Sequence, residues 1–153
     1  TNLSIVKTVV NSNDKRKTLL IKRVEKILKG NLSNKIITFL GVTFKPNTDD
    51  MREASSIPMI KYLNKKNSKI KYYDPSGEKI EFKGLKNVNY CSTISSACLN
   101  ADLIILHTEW NDFKLLNFKK LTKKKKFKIY DMRNMYSPSI MKKLKIDYFG
   151  IGR

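Results

Sequence analysis

The sequence predicts an α/β fold with an open parallel sheet of about five strands and helices on both faces. Two observations carry this prediction: short β-branched apolar runs recur along the chain, and segments of helical periodicity separate them. Strands that alternate with helices build parallel sheets with right-handed crossovers. The 153 residues, 41% of them apolar, are enough for one globular domain with its own core.

The chain opens with a predicted helix and a buried strand. Apolar residues at three- and four-residue intervals indicate a helix around Asp14 to Lys29, closed by Gly30. The run from Lys35 to Gly41 is β-branched and continuously apolar, which is typical of a strand covered on both faces.

The remaining elements continue this alternation. A second helix is expected around Ile57 to Leu63, because Pro58 is tolerated in a first helical turn. Further strands are expected at Lys69–Tyr73, Asp102–His107, Phe127–Tyr130 and Ile146–Phe149, with a short apolar segment at Val88–Tyr90. Short helices are expected around Ser92 to Leu99, Asn111 to Leu121 (in one or two pieces) and Ser137 to Leu144.

The chain is strongly basic, with 32 Lys and Arg against 13 Asp and Glu and a formal charge of +19. Such a charge suggests a polyanionic partner. However, only five of the basic residues are arginines, the lysines are spread along the whole chain, and we interpret their one run, at 123–126, as a solvated connection. We therefore expect no nucleic-acid partner. A basic nucleic-acid-binding module, the alternative, would need clustered arginines and exposed aromatic side chains on one face.

Cysteine and histidine are too few for a metal site or a disulfide framework. Cys91 and Cys98 have only His107 near them in the sequence, so we interpret both as structural thiols in a reducing, cytoplasmic compartment. No apolar run approaches the roughly 20 residues that a membrane helix needs, and the N-terminal segment lacks the pattern of a secretory signal. We expect no metal, no membrane partner and no catalytic residue in this chain.

Ligands of open parallel sheets bind beyond the carboxyl ends of the strands, where segments 41–52, 107–110 and 131–134 are expected. In the first segment, Lys45 can offer a phosphate a point charge and Arg52 can offer a bidentate fork. Asp49 and Asp50 would hold the loop or the arginine. Alternatively, residues 47–50 only cap the next helix and the basic pair is solvated.

The other strand ends carry one further candidate. Arg133 follows a strand at the same edge and faces either a ligand or an ordinary surface environment beside Asp131. We interpret His107 and Trp110 as structural residues. The one Gly-x-Gly, Gly150–Gly152, is followed by no helix, so we expect no pyrophosphate-binding turn of the usual dinucleotide type.

Several segments together resemble a known family. They are Gly41-Val-Thr-Phe-Lys-Pro-Asn-Thr-Asp-Asp-Met-Arg-Glu-Ala54, Tyr73-Asp-Pro75, Ala101-Asp102, Thr108-Glu-Trp110, Asp131-Met-Arg-Asn134 and Tyr148-Phe-Gly-Ile-Gly-Arg153. In order and spacing they are similar to the C-terminal, UDP-binding domain of the UDP-glucose/GDP-mannose dehydrogenase family, from Asn11 onward. Thr-Asp-Asp-Met-Arg together with Thr-Glu-Trp favours the UDP-glucose branch over relatives that use GDP-mannose or UDP-N-acetylmannosamine.

The resemblance implies a Rossmann-like domain of an NAD-dependent oxidoreductase that converts UDP-glucose to UDP-glucuronate by two hydride transfers, through a thiohemiacetal on a cysteine. In the family, the NAD-binding domain and that cysteine precede this domain, so we expect the chain alone to be inactive. Residues 1–30 are expected to be the end of the central interdomain helical segment, and residues 31–153 the UDP-sugar-binding domain. The implied partners are UDP-glucose or UDP, the N-terminal NAD-binding domain and a second copy in a homodimer.

Particular residues take roles from the resemblance. Phe44, Lys45 and Arg133 match the family's contacts to the UDP-sugar, and Arg52 matches the arginine that crosses the interdomain cleft to the NAD. A bare oligomerisation domain that binds no nucleotide is a further alternative.

Overall fold

Six parallel strands form one open sheet in the computed structural model, which describes residues 2–152, with side chains from residue 12 onward. Thr1 and Arg153, the outer limits of the two expected domain ranges, lie outside the described residues. In chain order the strands are β1 (Ile36–Leu40), β2 (Lys69–Tyr73), β3 (Val88–Tyr90), β4 (Leu103–Leu106), β5 (Lys128–Asp131) and β6 (Asp147–Gly150). Their order across the sheet is β3-β2-β1-β4-β5-β6, and every neighbouring pair is parallel.

Helix α1 (Asn2–Ile27) precedes the first strand. Helices α2 (Ser56–Lys65), α3 (Ile94–Cys98), α4 (Phe118–Thr122) and α5 (Pro138–Lys143) lie between successive strands, with short 3-10 turns at Ile80–Phe82, between β2 and β3, and at Asn111–Phe113, before α4. Between residues 2 and 152, no helix combines the length and apolar character of a membrane span.

The expected α/β class is confirmed, with two differences of detail. The short segment Val88–Tyr90 pairs with β2 as an edge strand, so the sheet has six strands where about five were expected. Helix α1 begins at Asn2 rather than near Asp14. The apolar spacing that marked the helix starts at Leu19, and the preceding segment contains β-branched residues of lower helix propensity.

Helices cover both faces of the sheet, as expected. On one face, α1 contributes Val24 and α2 contributes Met59 to a common apolar cluster. On the other face, Ala97 of α3, Phe118 of α4 and Met141 of α5 form a second cluster. All five side chains are at most 2% exposed. The sheet is therefore buried between two cores, and its ligands must approach along an edge.

The carboxyl ends of β1 and β4 mark the switch point of the sheet, where the order of successive strands reverses. From β1 the chain builds outward through β2 and β3, and it then crosses back to place β4 on the other side of β1. Loops that leave such neighbours diverge above and below the sheet, which opens a crevice between them. The sequence segments after β1, β4 and β5 therefore meet at one place.

Candidate functional site

The loop after β1 is fixed at its base by two contacts. Gly41 has a φ of +78°, and its backbone passes so close to Thr108 that a Cβ on Gly41 would lie 2.7 Å from the Cβ of Thr108. The next residue, Val42, donates its backbone N–H to Oδ2 of the buried Asp74 at 2.8 Å. The exits of β1, β2 and β4 are therefore held together before the loop begins.

The loop then folds back on itself. The Thr43 hydroxyl donates to the carbonyl oxygen of Lys45 at 3.0 Å, and the backbone N–H of Phe44 donates to the carbonyl oxygen of Asp50 at 2.9 Å. Residues 47–50 do not cap the next helix, because α2 begins only at Ser56. The capping alternative for these residues is therefore wrong.

Arg52 and Asp50 form a bidentate ion pair within the loop. Nε and one terminal nitrogen of Arg52 donate to the two carboxylate oxygens of Asp50 at 3.0 and 3.2 Å. The side-chain hydrogen bond from Arg52, followed by one from its backbone N–H, lowers the pKa of Asp50. The Arg52 side chain is 89% exposed, so the carboxylate orients a guanidinium that points away from the core.

A cleft of about 550 Å³ lies at the carboxyl edge of the sheet and brings together three of the four predicted site residues, Phe44, Lys45 and Arg133. It is also lined by Asn13, Arg16, Lys17, Leu20, Glu53, Ser55, His107, Glu109, Met132 and Ile151. Arg52, the fourth, lines an adjoining open depression on the other side of the loop, and Lys45 borders both spaces.

Arg133 is held at the cleft by groups that follow β4. Its Nε donates to the carbonyl oxygen of His107 at 2.9 Å and lies 3.0 Å from Oε2 of Glu109. Only the backbone N–H of Arg133 reaches Asp131, at 3.1 Å. The side-chain partner is therefore Glu109 and not the neighbouring aspartate.

His107 is a buried, neutral structural residue. The Thr108 hydroxyl donates its one proton to the carbonyl oxygen of Thr43 at 2.8 Å, so it accepts from Nδ1 of His107 at 2.9 Å. Nε2 is then the acceptor for the Ser55 hydroxyl, also at 2.9 Å. Burial, followed by the charge of Arg133, lowers the pKa of His107 to about 3.

Of the other residues predicted to be structural, Trp110 and Cys98 are buried and Cys91 is partly buried. Trp110 belongs to one of the two cores and its Nε1 donates to the Thr43 hydroxyl at 3.3 Å. Cys91 and Cys98 are unpaired, and burial raises the pKa of both thiols, that of Cys98 to about 12. In the part of the chain that the structure describes, no three potential metal-ligating side chains cluster.

The cleft carries an excess of positive charge that two carboxylates partly offset. Its cations are Arg16, Lys17, Lys45 and Arg133, and its carboxylates are Glu53 and Glu109, so four positive and two negative charges leave a net charge of +2. Lys17 of α1 forms an ion pair with Glu53 at 3.0 Å. Such a surface complements a ligand that carries two negative charges.

Sequence reasoning missed the residues that partner the predicted ones. Glu109 lies in the motif Thr108-Glu-Trp110, which pointed to the family but did not indicate what Glu109 contacts. Nothing in the sequence indicated the contacts of Lys17 and Ser55, because their partners, Glu53 and His107, lie 36 and 52 residues away.

Fold and site together define a class: an open parallel α/β domain with a basic, ligand-sized cleft at the switch point of its sheet. The chain belongs to the UDP-glucose/GDP-mannose dehydrogenase family, and its residues 38–138 match the UDP binding domain of that family.

Sequence relatives agree with this membership. The chain is 36% identical over 151 residues to a UDP-glucose 6-dehydrogenase of Rickettsia felis, covering 97% of this chain and 34% of the relative. It is 33% identical over 154 residues to one of Rhizobium meliloti, covering 100% and 35%. The chain therefore spans about a third of the length of these relatives.

Solved structures share the fold. A UDP-glucose dehydrogenase from Pyrobaculum islandicum aligns with a TM-score of 0.73 and 23% identity, over 96% of this chain and 32% of that one. A UDP-N-acetyl-mannosamine dehydrogenase from Staphylococcus aureus aligns with a TM-score of 0.74 and 24% identity, over 100% and 34%.

Proposed function

We propose that this chain is the UDP-sugar-binding part of an NAD-dependent UDP-glucose 6-dehydrogenase, which oxidises UDP-glucose to UDP-glucuronate. The observation that carries the proposal is the meeting of Phe44, Lys45 and Arg133 in one cleft at the switch point of the sheet. The Rickettsia and Rhizobium relatives are UDP-glucose 6-dehydrogenases, which supports the choice of UDP-glucose.

The three residues have complementary chemistry for a nucleoside diphosphate. Lys45 is exposed at the mouth of the cleft and offers a mobile ammonium group to a phosphate. Arg133 is anchored through Nε to the His107 carbonyl, which leaves its terminal nitrogens for a phosphate oxygen. Phe44 is 49% exposed, and its ring offers an apolar face to a base or ribose.

Arg52 has a separate role in this proposal. It lies outside the cleft and is oriented outward by Asp50, which suits contact with an NAD held by the N-terminal domain of the same enzyme. That domain would also supply the nucleophilic cysteine, and this chain contributes no catalytic group. We further propose a homodimer in the full enzyme and, from the two unpaired thiols, a cytoplasmic location.

The domain division follows from the same proposal. We assign residues 1–30 to the end of the interdomain helical segment and residues 31–153 to the UDP-sugar-binding domain. Helix α1 supports a connecting role, because Leu20 and Val24 join the core of the sheet while Arg16 and Lys17 line the cleft.

Calorimetric titration of the chain with UDP and with UDP-glucose tests the binding proposal. A charge-assisted hydrogen bond contributes about 1.5–3 kcal/mol, so Lys45→Ala and Arg133→Ala should each weaken UDP binding about 10- to 100-fold. Lys86→Ala is the control, because Lys86 is exposed and lines no part of the cleft. Absence of UDP binding, or equal affinity in all four proteins, would reject the proposal.

The role of Arg52 needs a different measurement. In the full-length enzyme, Arg52→Ala should raise KM for NAD, whereas in the chain alone it should leave UDP affinity unchanged. A loss of UDP affinity equal to that of Arg133→Ala would place Arg52 in the substrate site instead.

A further inference from the structure

The ion pair between Glu109 and Arg133 lies inside the cleft. Glu109 follows β4 and Arg133 follows β5, and Oε2 of the glutamate is 3.0 Å from Nε of the arginine. Both side chains line the cleft beside Lys45. A carboxylate is thus directed at the guanidinium proposed to receive a ligand phosphate.

The single hydrogen on Nε of Arg133 is donated to the His107 carbonyl, so the Glu109 carboxylate acts on the guanidinium through its charge. That negative charge offsets the positive charge that a ligand phosphate would meet at the same guanidinium. The side chains of Arg133 and Glu109 are 34% and 40% exposed, so water weakens their attraction and the pair can be separated at small cost. The backbone carbonyl of His107 holds Nε independently. Arg133 therefore keeps its position when its carboxylate partner turns away.

We infer that Glu109 and the phosphate of a nucleoside diphosphate compete for the guanidinium of Arg133, so that Glu109 determines how much negative charge a ligand needs to bind. The inference rests on the proposed function, which makes a nucleoside diphosphate the ligand. A diphosphate carries enough charge to displace the carboxylate, whereas an uncharged nucleoside does not engage the guanidinium and gains nothing from its release.

Glu109→Gln tests this competition, because it keeps the size of the side chain and removes its charge. An exposed ion pair contributes up to about 1 kcal/mol, so UDP affinity should rise about two- to fivefold and should fall more steeply with added salt. The affinity for uridine, measured by NMR titration, should stay unchanged. Glu78→Gln, which removes an exposed carboxylate that does not line the cleft, should alter neither affinity.

Uridine separates competition from a merely structural effect. If Glu109→Gln changes the affinities for uridine and UDP by the same factor, Glu109 shapes the loop and the inference is overturned. Weaker UDP binding would also overturn it, since Glu109 would then be a ligand contact.

Inorganic pyrophosphate separates the inference from the proposed function. If UDP binds neither protein but pyrophosphate binds the Glu109→Gln variant more tightly than the unaltered chain, the competition holds and the proposed function fails. If UDP binds the unaltered chain but Glu109→Gln changes neither UDP nor pyrophosphate affinity, the proposed function stands and the inference fails.

Discussion

Gly41 and Thr108 are in close contact where β1 and β4 end. A Cβ on Gly41 would lie only 2.7 Å from the Thr108 Cβ and 3.0 Å from its Oγ1. Thr108 is fully buried and cannot retreat without breaking its hydrogen bond to the Thr43 carbonyl. Thr108 stands in the sequence between His107 and Glu109, which both line the cleft.

Replacing Gly41 by alanine should destabilise the fold strongly. A left-handed φ costs a non-glycine residue about 1–2 kcal/mol, and overpacking typically costs about 1–3 kcal/mol. We expect a total loss of about 2–5 kcal/mol in the free energy of unfolding, measured by urea denaturation.

The control for Gly41→Ala is Gly84→Ala. Gly84 also has a left-handed φ, of +85°, but a Cβ there meets nothing within 4 Å. It should therefore lose only the backbone contribution. Equal losses in the two variants would show that the contact with Thr108 carries no energy.

Arg52 should control the protonation of Asp50. Its side-chain hydrogen bond is the largest cause of the lowered pKa of Asp50, so Arg52→Ala should raise that pKa toward its ordinary value, as measured by NMR titration of the carboxyl carbon. Part of the lowering should persist, because the backbone N–H of residue 52 still donates to Oδ1.

Lys45→Ala is the matched control for this titration. Lys45 acts on Asp50 only through its charge, as the smallest of the causes. Its removal should shift the pKa of Asp50 much less than the removal of Arg52. A larger shift for Lys45→Ala would contradict the bidentate arrangement.

The sequence was informative wherever local pattern decides the structure. The run of buried residues in β4 and the glycine after β1 located a strand and the ligand edge of the sheet, because strand periodicity and turn chemistry are local. Lys45 and Arg133 could be predicted to meet, since the carboxyl ends of parallel strands share one edge, whereas Phe44 was named only through the family resemblance.

The partners of these residues could not be predicted in the same way. Glu109 meets Arg133 only because β4 and β5 are neighbours in a particular register, with Leu106 opposite Asp131. Arg52 falls outside the cleft because a bidentate contact two residues away turns its side chain outward. Such outcomes depend on three-dimensional packing that residue types alone leave open.

Cys98 should react with thiol reagents only when the protein unfolds. Its side chain is fully buried and its pKa is about 12, so almost no thiolate is present at neutral pH. Labelling with iodoacetamide at pH 7.5, followed by mass spectrometry, should modify Cys98 in urea but not in buffer. Modification of Cys98 at the same rate in both would contradict the packing of α3 against the sheet.

His107 should make the fold less stable as the pH falls. In the folded chain its pKa is about 3, against an ordinary value of 6.5, so between these values the unfolded state binds a proton that the folded state excludes. The contribution of the neutral His107 to the free energy of unfolding is therefore complete above about pH 6.5. Below that pH it declines by at most about 1.4 kcal/mol per pH unit.

His107→Gln isolates this contribution from the carboxylates that titrate in the same range. Glutamine can still accept a hydrogen bond from Ser55, but it binds no proton. Between pH 7 and 4.5, the unaltered chain should lose more free energy of unfolding than the variant, since only its unfolded state gains the extra proton. NMR of the imidazole at pH 5 should find a neutral ring with its proton on Nδ1, because Thr108 accepts there. A charged ring at pH 5, or parallel pH profiles for the two proteins, would contradict the buried, neutral histidine.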